Sequence, residues 1–233
     1  MIRGFYSAAA GLASRQDQLN VIANNVANVN TVGYKAQQTT FSSLLSQSLE
    51  GGGGNSVNVG SGARLSGPET VFTQGELMRT EGALDCALAG EGFFAAESKD
   101  GDTVTYSRDG SFRIGKDGSK SYLTNAAGDY ILDGKEKKIE INDSFALESV
   151  GVFTFTNPGG LKRMGGNQYI ATEISGDPEV VKEPALIAGH LENSSVKLAE
   201  EMVRMIEATK GFSFSSKIIQ TADEMEKIVN QLR

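Results

Sequence analysis

Few residues of this chain could carry out nucleophilic, acid–base or metal chemistry. Its 233 residues include one cysteine, Cys86, and one histidine, His190. A Ser-His-Asp or Cys-His site would need His190, and one residue of each type cannot build a zinc cluster. His190 stands just before a C-terminal helical pattern, and we interpret it as a junction residue. Cys86 alternates with Leu84 and Leu88, which predicts a position on the apolar face of a strand.

The carboxylates add little catalytic potential. Glycoside hydrolysis uses a pair of Asp or Glu side chains, for which Asp85, Glu91 and Asp109 are candidates. Each of them stands among turn-forming residues, so we expect a turn or a solvated face. The segment 100–102 lacks the spacing and the final Glu of an EF-hand loop and is predicted to be a turn. The sequence therefore predicts no catalytic residue, no metal and no cofactor.

Composition excludes further classes of function. The net charge of −7 argues against a protein that binds nucleic acid by neutralising phosphates, and against a polybasic membrane-surface protein. No apolar run reaches the roughly 18 residues of a membrane-spanning helix. The N-terminus has neither the apolar stretch nor the cleavage site of a Sec signal peptide. We expect an exported or cytosolic globular protein without membrane insertion.

A long amphipathic helix is predicted at each end of the chain. Between Phe5 and Val26, apolar residues recur every three, four or seven positions, and turn formers after Val26 should end the helix. From Val196 to Leu232, apolar residues again recur mostly every three or four positions. Side-chain oxygens within 193–195 could cap this second helix. The capping-box pattern at 221–224 lies inside the helical run and is interpreted as a false positive.

The centre of the chain is predicted to be an antiparallel β domain. Asp-Gly pairs at 100–101, 109–110, 117–118 and 133–134 suit tight hairpin turns, because both residues tolerate positive φ. Residues 36–69 contain a run of four glycines and are predicted to be an extended linker, since no Gly-Lys-Ser/Thr follows to make a phosphate loop. The predicted strands are Val71–Phe72, Leu84–Leu88, Phe93–Phe94, Thr103–Tyr106, Phe112–Ile114, Tyr130–Leu132, Ile139–Ile141, Val152–Phe155 and Tyr169–Ile174.

These elements predict an α+β fold with a mainly β centre. We expect four parts: an N-terminal helix (1–35), the linker (36–69), the β domain (70–185) and a C-terminal helix (186–233). The two helices should pair as a coiled-coil-like hairpin. One helix pair leaves apolar faces uncovered, which indicates association with other copies or partners. A two-fold contact would give a closed dimer or small bundle, and a head-to-tail contact would give an open helical filament.

Motifs at both ends and in the centre resemble the bacterial flagellar rod and hook protein family. The N-terminal stretch A-N-N-V-A-N-V-N-T-V-G-Y-K, residues 23–35, is close to the family pattern A-N-N-(L/V/I)-A-N-x-x-T-x-G-(F/Y)-K. The chain is most similar to the distal-rod and proximal-rod subunits, the FlgG and FlgF class. The further matching segments are Gln74–Leu77, Gly90–Phe94, Tyr106–Phe112, Ala199–Ile206 and Ser216–Met225. The chain departs from the pattern at 191–198 and 209–212, where Gly211 should cost a helix about 1 kcal/mol relative to Ala.

The resemblance implies a structural subunit of the flagellar basal body. Such subunits are exported by the flagellar type III apparatus without a cleaved signal, and they lie outside the cytoplasm, in the periplasm or cell wall. Their terminal helices form the inner tube of the axial structure, and the rod transmits torque from the motor to hook and filament. Copies of the same chain and other rod or hook subunits are the implied partners. The alternatives are a hook or hook-cap protein and, in a different class, a secreted cell-wall enzyme or adhesin.

The residues expected to mediate assembly lie on the two helices and in the N-terminal motif. The asparagines of the motif have two possible roles: they form a cap or turn, or their amides bond the backbones of neighbouring subunits. The expected assembly residues are Leu12, Leu19, Ile22, Asn24, Asn25, Val26, Asn28, Gly33, Tyr34, Met202, Ile206, Phe212, Ile219, Met225 and Val229.

Overall fold

The computed structural model describes residues 2–50, 56–99, 101, 103–118, 120–141 and 149–232. The glycine run at 51–54 and the acids at 100 and 102 lie outside these residues. The fold is α+β with mainly β content and a helix near each end, which confirms the predicted class. The chain forms two compact units. The first comprises Met1–Ala27, Gln37–Glu69 and Lys197–Arg233, and the second comprises Asn28–Ala36 and Thr70–Val196.

Both predicted helices are present. Helix α1 spans Ile2–Ala27 and ends where the asparagine-rich turn begins, as expected. Helix α2 spans Leu198–Gln231, which corresponds to about 51 Å at 1.5 Å per residue. It continues through Thr221, whose hydroxyl donates to the carbonyl of Lys217, so the capping-box pattern there is indeed false. Neither helix is long and apolar enough, within the described residues, to cross a membrane.

The predicted cap of α2 is wrong. The helix begins after Lys197, which makes no side-chain capping hydrogen bond. The hydroxyl of Ser195 instead accepts a hydrogen bond from the backbone of Ala36 at 2.9 Å, and that of Ser194 accepts from Val196. These serines are therefore engaged before the helix starts. Glu200 and Glu201 in the first turn supply negative charge that favours the helix N-terminus.

Helices α1 and α2 pack against each other within the first unit. A small residue, Ala208, is fully buried in α2, and Gly11 of α1 lies close to the hydroxyl of Ser215. A Cβ at Gly211 would lie only 2.9 Å from Nε of Arg15. The glycine that disfavours the helix at this point thus leaves room for an arginine of the partner helix.

The segment expected to be a linker contains four strands. They are β1 (Gln37–Ser43), β2 (Ser46–Glu50), β3 (Ser56–Gly60) and β4 (Ala63–Thr70). β1 pairs with β4, and β2 pairs with β3, which makes a two-stranded ribbon. The ribbon packs on α1: the Arg15 guanidinium lies 4.7 Å from the centre of the Phe41 ring, and the Ser14 hydroxyl donates to the carbonyl of Ala63. These contacts explain why a glycine-rich composition did not give a free linker.

The second unit is built on an antiparallel sheet of nine strands within the described residues. Its path runs β13-β14-β8-β7-β11-β10-β9, with β12 pairing to both β7 and β15. Strands β5 and β6 pair outside this sheet, with β17 and β16 respectively. The remaining strands are β5 (Leu77–Arg79), β6 (Cys86–Leu88), β7 (Phe93–Glu97), β8 (Val104–Ser107), β9 (Arg113–Asp117), β10 (Lys120–Thr124), β11 (Tyr130–Ile131), β12 (Val152–Thr154), β13 (Lys162–Gly165), β14 (Gln168–Ile170), β15 (Glu179–Val180), β16 (Leu186–Ala188) and β17 (His190–Glu192).

The central strand β7 is buried on both faces. Side chains alternate across a strand, and those of Phe94 and Ala96 enter one hydrophobic cluster while those of Phe93 and Ala95 enter another. The second cluster is rich in aromatic rings in edge-to-face contact. Because strand β7 has a core on each side, its sequence is a continuous apolar run rather than an alternating one.

The turn and strand predictions hold in part. Gly101 and Gly118 adopt positive φ in tight turns, as expected, whereas Gly110 and Gly134 do not. No strand forms at Val71–Phe72, where the Val71 N–H donates to the carbonyl of Ala36. At 139–141 an isolated bridge joins Glu140 to Tyr122. The Ile139 N–H there donates to Ile131, and the Ile141 N–H donates to Ser121. Strands β5, β10, β13, β15, β16 and β17 were not predicted; all of them except the five-residue β10 are only two to four residues long.

Candidate functional site

Two stretches that flank the helices in sequence join inside the second unit. The backbone N–H of Gly33 donates to the carbonyl of Glu192 at 2.8 Å, and that of Ser195 donates to Tyr34 at 3.0 Å. The Ser195 hydroxyl closes the pairing by accepting from Ala36. We call residues 33–36, 73–75 and 192–195, together with Arg108, the junction. It connects the chain just after α1 to the chain just before α2.

A buried carboxylate is the centre of the junction. One oxygen of Glu192 accepts from Lys35 Nζ at 2.6 Å and from the backbone N–H of Gly75 at 2.7 Å. The other lies 3.4 Å from Nη1 of Arg108. Lys35 Nζ also donates to the carbonyl of Thr73 at 2.7 Å. Each of the three charged side chains is at most 4% exposed.

Burial and charge act in opposite directions on these groups. Desolvation lowers the pKa of Lys35, and the hydrogen bond and charge of Glu192 oppose that shift. The pKa of Arg108 is lowered by the same desolvation, again against the attraction of Glu192. Removing one partner of such a cluster leaves an uncompensated buried charge, which costs far more than the intact cluster contributes. The junction is therefore suited to holding segments in place.

The N-terminal motif contributes an aromatic contact and a special backbone position. The Arg163 guanidinium lies 4.7 Å from the centre of the buried Tyr34 ring. Gly33 has φ +66°, and a Cβ there would lie 2.7 Å from the backbone of Arg108 and Asp109. Glycine is thus required both by conformation and by close approach. The motif's G-Y-K ending places a turn, a ring and a buried cation at successive positions.

Two asparagines of the motif, Asn25 and Asn28, form hydrogen bonds within the chain itself. The Asn25 side chain, fully buried, donates to the carbonyl of Gln37 at 2.8 Å and accepts from its N–H at 2.9 Å. The carbonyl of Asn28 accepts the N–H of Thr31 in a turn, and its side-chain oxygen accepts the Thr31 hydroxyl. These contacts match the turn-forming interpretation for Asn28. Asn24 is exposed.

The predicted assembly residues on the helices fall into three groups by exposure. Ile22 is buried within the first unit. Leu12, Leu19, Val26, Phe212 and Ile219 are half-buried. Met202, Ile206, Met225 and Val229 are exposed. The structure adds exposed apolar side chains that were not among the expected assembly residues: Phe5, Tyr6, Leu198, Val203, Phe214, Ile218, Ile228 and Leu232.

The residues considered for catalysis have ordinary structural surroundings. Cys86 is buried on β6, and burial raises its pKa to about 11, so the reactive thiolate is suppressed. The His190 ring lies 3.0 Å from the carbonyl of Ala188. The Asp85 and Asp109 carboxylates accept hydrogen bonds from Thr80 and Ser111 in their own turns. In the part of the chain that the structure describes, no group of three His, Cys, Asp or Glu side chains could hold a metal ion.

Sequence reasoning missed most of the junction. Glu192, Arg108 and Ser195 were not proposed as functional residues, although Lys35 ends the N-terminal motif. A lysine within a motif of otherwise uncharged residues is a signal that a carboxylate partner lies elsewhere in the chain. Glu192 lies on β17, a strand of three residues that the sequence did not predict. Its pairing with Lys35 joins residues 157 positions apart, so it depends on the tertiary fold.

A β unit that joins the two ends of the chain, together with terminal helices bearing exposed apolar residues, is the arrangement expected of flagellar axial proteins. Three family models match. "Flagella basal body rod protein" matches residues 5–35, "Flagellar hook protein FlgE/F/G D1 domain" matches 87–162, and "Flagellar basal body rod FlgEFG protein C-terminal" matches 187–232. These models contain the N-terminal motif, much of the sheet and helix α2.

Curated relatives extend the similarity to the whole chain. The chain is 33% identical to the flagellar basal-body rod protein FlgG of Bacillus subtilis, with 100% of both chains covered. It is 32% identical to FlgG of Borreliella burgdorferi, over 100% of this chain and 99% of the relative. The hook protein FlgE of the same organism matches 58% of this chain at 35% identity, over 31% of the relative. The chain belongs to the flagellar basal-body rod protein family.

Proposed function

We propose that this protein is a structural subunit of the flagellar basal-body rod. It acts by self-assembly, without catalysis, in a helical tubular shaft that transmits motor torque to hook and filament. Family membership supports the location in the basal body and the contact with other rod and hook subunits. The observation that carries the proposal is the row of exposed apolar side chains on α2, six of which are more than half exposed: Met202, Val203, Ile206, Phe214, Ile218 and Ile228.

The terminal helices supply the axial core in this proposal. Helices α1 and α2 act as a coiled-coil-like hairpin that lines the tube. The functional parts are 1–35, 36–69, 70–185 and 186–233. The α1–α2 packing and the amphipathic spacing of both helices support this arrangement.

The role proposed for each assembly residue depends on how exposed its side chain is in the single chain. Met202, Ile206, Met225 and Val229 contact neighbouring copies, since they are exposed in the single chain. Half-buried residues such as Leu12 stabilise the helix pair and reach neighbours at their edges. The buried motif residues act indirectly, because they fix the backbone at and after the end of α1.

Export precedes assembly in this proposal. The flagellar type III apparatus exports the chain unfolded, and the terminal helices become fully ordered only when neighbouring copies cover their apolar faces. Isolated helices gain little stability without packing, which supports this order of events. Delayed ordering would also limit polymerisation before export.

Immunogold electron microscopy of isolated hook–basal bodies tests the proposal. An epitope tag is inserted after Gly118, in an exposed turn between β9 and β10, and motility of the tagged strain is the control for function. Label on the rod below the hook is the expected result, and its height separates proximal from distal rod. Label on the hook would move the subunit outward. Protein found only free or bound to cell wall would refute the proposal and favour a cell-wall enzyme or adhesin.

A further inference from the structure

The first unit has little hydrophobic core of its own. Within the described residues, its buried apolar side chains are those of Ala8, Ile22 and Ala208. The second unit, by contrast, contains both hydrophobic clusters of the chain. Ordering a chain costs conformational entropy that buried apolar surface must offset. Three fully buried side chains offset little of that entropy, so the first unit needs another source of stability.

The first unit is also discontinuous in sequence. Its three segments are Met1–Ala27, Gln37–Glu69 and Lys197–Arg233. They meet at Arg15 of the first segment, whose guanidinium lies 4.7 Å from the centre of the Phe41 ring in the second segment. In the third segment, a Cβ at Gly211 would lie 2.9 Å from Nε of Arg15. Residues 70–196 separate the last two segments, and the entropy lost by closing a flexible loop grows with its length.

The junction shortens this loop. The chain passes from one unit to the other at four places: 27–28, 36–37, 69–70 and 196–197. Each place lies within a few residues of a junction segment. The Gly33 N–H donates to the backbone carbonyl of Glu192, and the Gly75 N–H donates to its carboxylate. Once these bonds have formed, α1 and α2 are connected through 28–32 and 196–197 alone, which we call the short connection.

We propose that the junction is a folding template: it closes within the second unit first, and α1 and α2 pair only after it has closed. The second unit can close it unaided, because the partners of Glu192 lie in that unit and because the hydrophobic clusters lie there too. In the reverse order, the helices would have to meet across the whole of 28–197 with few buried apolar side chains to compensate. The N-terminal motif, which ends at Lys35, then acts in closure of the junction. This order applies to the single chain and does not depend on self-assembly.

Urea titration of the dilute monomer tests the order of events. Donor and acceptor dyes at Gln16→Cys and Lys210→Cys, exposed positions of α1 and α2, report helix pairing by energy transfer in a Cys86→Ala background. Near-ultraviolet circular dichroism of the unlabelled variant reports folding of the second unit, which contains five of the six tyrosines. Energy transfer should be lost at or below the urea concentration at which the tyrosine signal is lost. Energy transfer that persists after the second unit has unfolded would overturn the template.

Insertion of flexible residues tests the short connection itself. Ten Gly and Ser residues placed between Val196 and Lys197 lengthen it from about seven to about seventeen residues, so the equilibrium constant for helix pairing should fall about fourfold. The same insertion after Gly118, in an exposed turn of the second unit, is the matched control and should change that constant by less than about 1.2-fold.

The two insertions also separate the template from free pairing of the helices. If α1 and α2 met without the junction, both insertions would lengthen an already long loop, and both would change the pairing constant by less than about 1.2-fold. That result, or equal losses in the two variants, would overturn the template. A variant that loses its tyrosine signal must lose energy transfer as well, so helix pairing that remains in such a variant would overturn it too.

Discussion

The junction and the exposed faces of α2 differ in which side chains they bury: the junction buries charged groups, and α2 exposes apolar ones. The junction buries three charged groups, Lys35, Arg108 and Glu192, almost completely. Helix α2 leaves Met202, Val203 and Ile206 more than half exposed. Folded chains usually bury apolar residues and expose charges. The buried charges of the junction are compensated within the chain by ion pairs and hydrogen bonds. The exposed apolar side chains of α2 can be covered only by other molecules.

This difference in burial distinguishes residues that stabilise the single chain from residues that mediate association between chains. A substitution in the junction should act on the stability of the single chain, because every partner of Glu192 lies within the same unit. A substitution on an exposed face of α2 should act on association. The N-terminal motif resembles a signature of assembling proteins. Its residues Asn25, Gly33 and Tyr34 nevertheless contact other parts of the same chain, so we expect them to stabilise the fold.

The largest effect on stability is expected for Glu192→Gln. The substitution keeps the shape of the side chain but leaves Lys35 and Arg108 buried without a counter-charge, so the free energy of unfolding should fall by about 3–5 kcal/mol. Urea unfolding measures the change. Glu200→Gln, in an exposed pair with Lys197, is the matched control and should cost less than about 1 kcal/mol. Equal losses of unfolding free energy in the two variants would contradict a stabilising role for the buried ion pairs of the junction.

Gly33→Ala should destabilise the chain more than Gly118→Ala. Both glycines have positive φ, +66° and +62°, and both variants suffer the strain of about 1–2 kcal/mol. A Cβ at Gly33 would also lie 2.7 Å from the backbone of Arg108, whereas nothing lies within 4 Å at Gly118. We expect the loss at Gly33 to be at least about twice that at Gly118, by urea unfolding. Similar losses would show that close approach at the junction adds nothing.

Stability should fall in alkaline solution because of Tyr169. Burial raises the pKa of its phenol from 10.0 to about 12. The folded state therefore holds this proton more tightly than the unfolded state, and its contribution is complete below pH 10 and is lost as the pH rises towards 12. The difference corresponds to roughly 2–3 kcal/mol.

Tyr169→Phe isolates this contribution. The Tyr169 hydroxyl is buried and has no hydrogen-bond partner among the residues that the structure describes, so the variant should be at least as stable as wild type at neutral pH. Between pH 10 and 12 it should lose less stability than wild type in thermal unfolding. Parallel pH profiles for the two proteins would contradict the assignment.

Asn25→Ala should cost about 1–3 kcal/mol, because it leaves the N–H and carbonyl of Gln37 without their partner. Asn30→Ala, at an exposed position of the same motif, should change the free energy of unfolding by less than about 0.5 kcal/mol. Thermal unfolding of both variants gives the comparison. If Asn25→Ala leaves stability unchanged but blocks assembly, the amide serves a neighbouring subunit.

The smallest effect on the single chain is expected for Ile206→Ser. Its side chain is 61% exposed, so the free energy of unfolding should change by less than about 0.5 kcal/mol. Assembly, followed by sedimentation, should nevertheless be strongly reduced. Ile22→Ser is the counterpart at a buried position and should destabilise the chain itself. A stable, normally assembling Ile206→Ser protein would contradict the role of the exposed face.

The sequence predicted the elements that rest on local patterns. The end of α1, the continuity of α2 through Thr221 and the central strands β6, β7, β8 and β12 follow from periodicity and turn residues. The ribbon at 37–70 was missed, because its stability comes from packing on Arg15 and Ser14 rather than from composition. The role of Ser195 was also missed, since a serine before a helix is ordinarily a cap, and here its hydroxyl is used by Ala36.

Of the candidate site, the sequence pointed only to apolar residues of the helices and to the N-terminal motif. Spacing placed Met202, Ile206, Met225 and Val229 on α2, and all four are exposed. Spacing could not show which face α1 would cover, so Val203, Phe214 and Ile218 went unnoticed. The pairing of Lys35 with Glu192 depends on the complete fold of the second unit, which no local pattern encodes.

Hydrogen exchange measured on the dilute monomer and on the assembled protein tests the central contrast most directly. Backbone amides at 33–36 and 192–195 should be protected in both states. Residues 4–27 and 198–232 should gain protection on assembly, since neighbouring copies then cover their apolar faces. Helices already fully protected in the monomer, with new protection appearing at the junction instead, would contradict the division between folding and assembly residues.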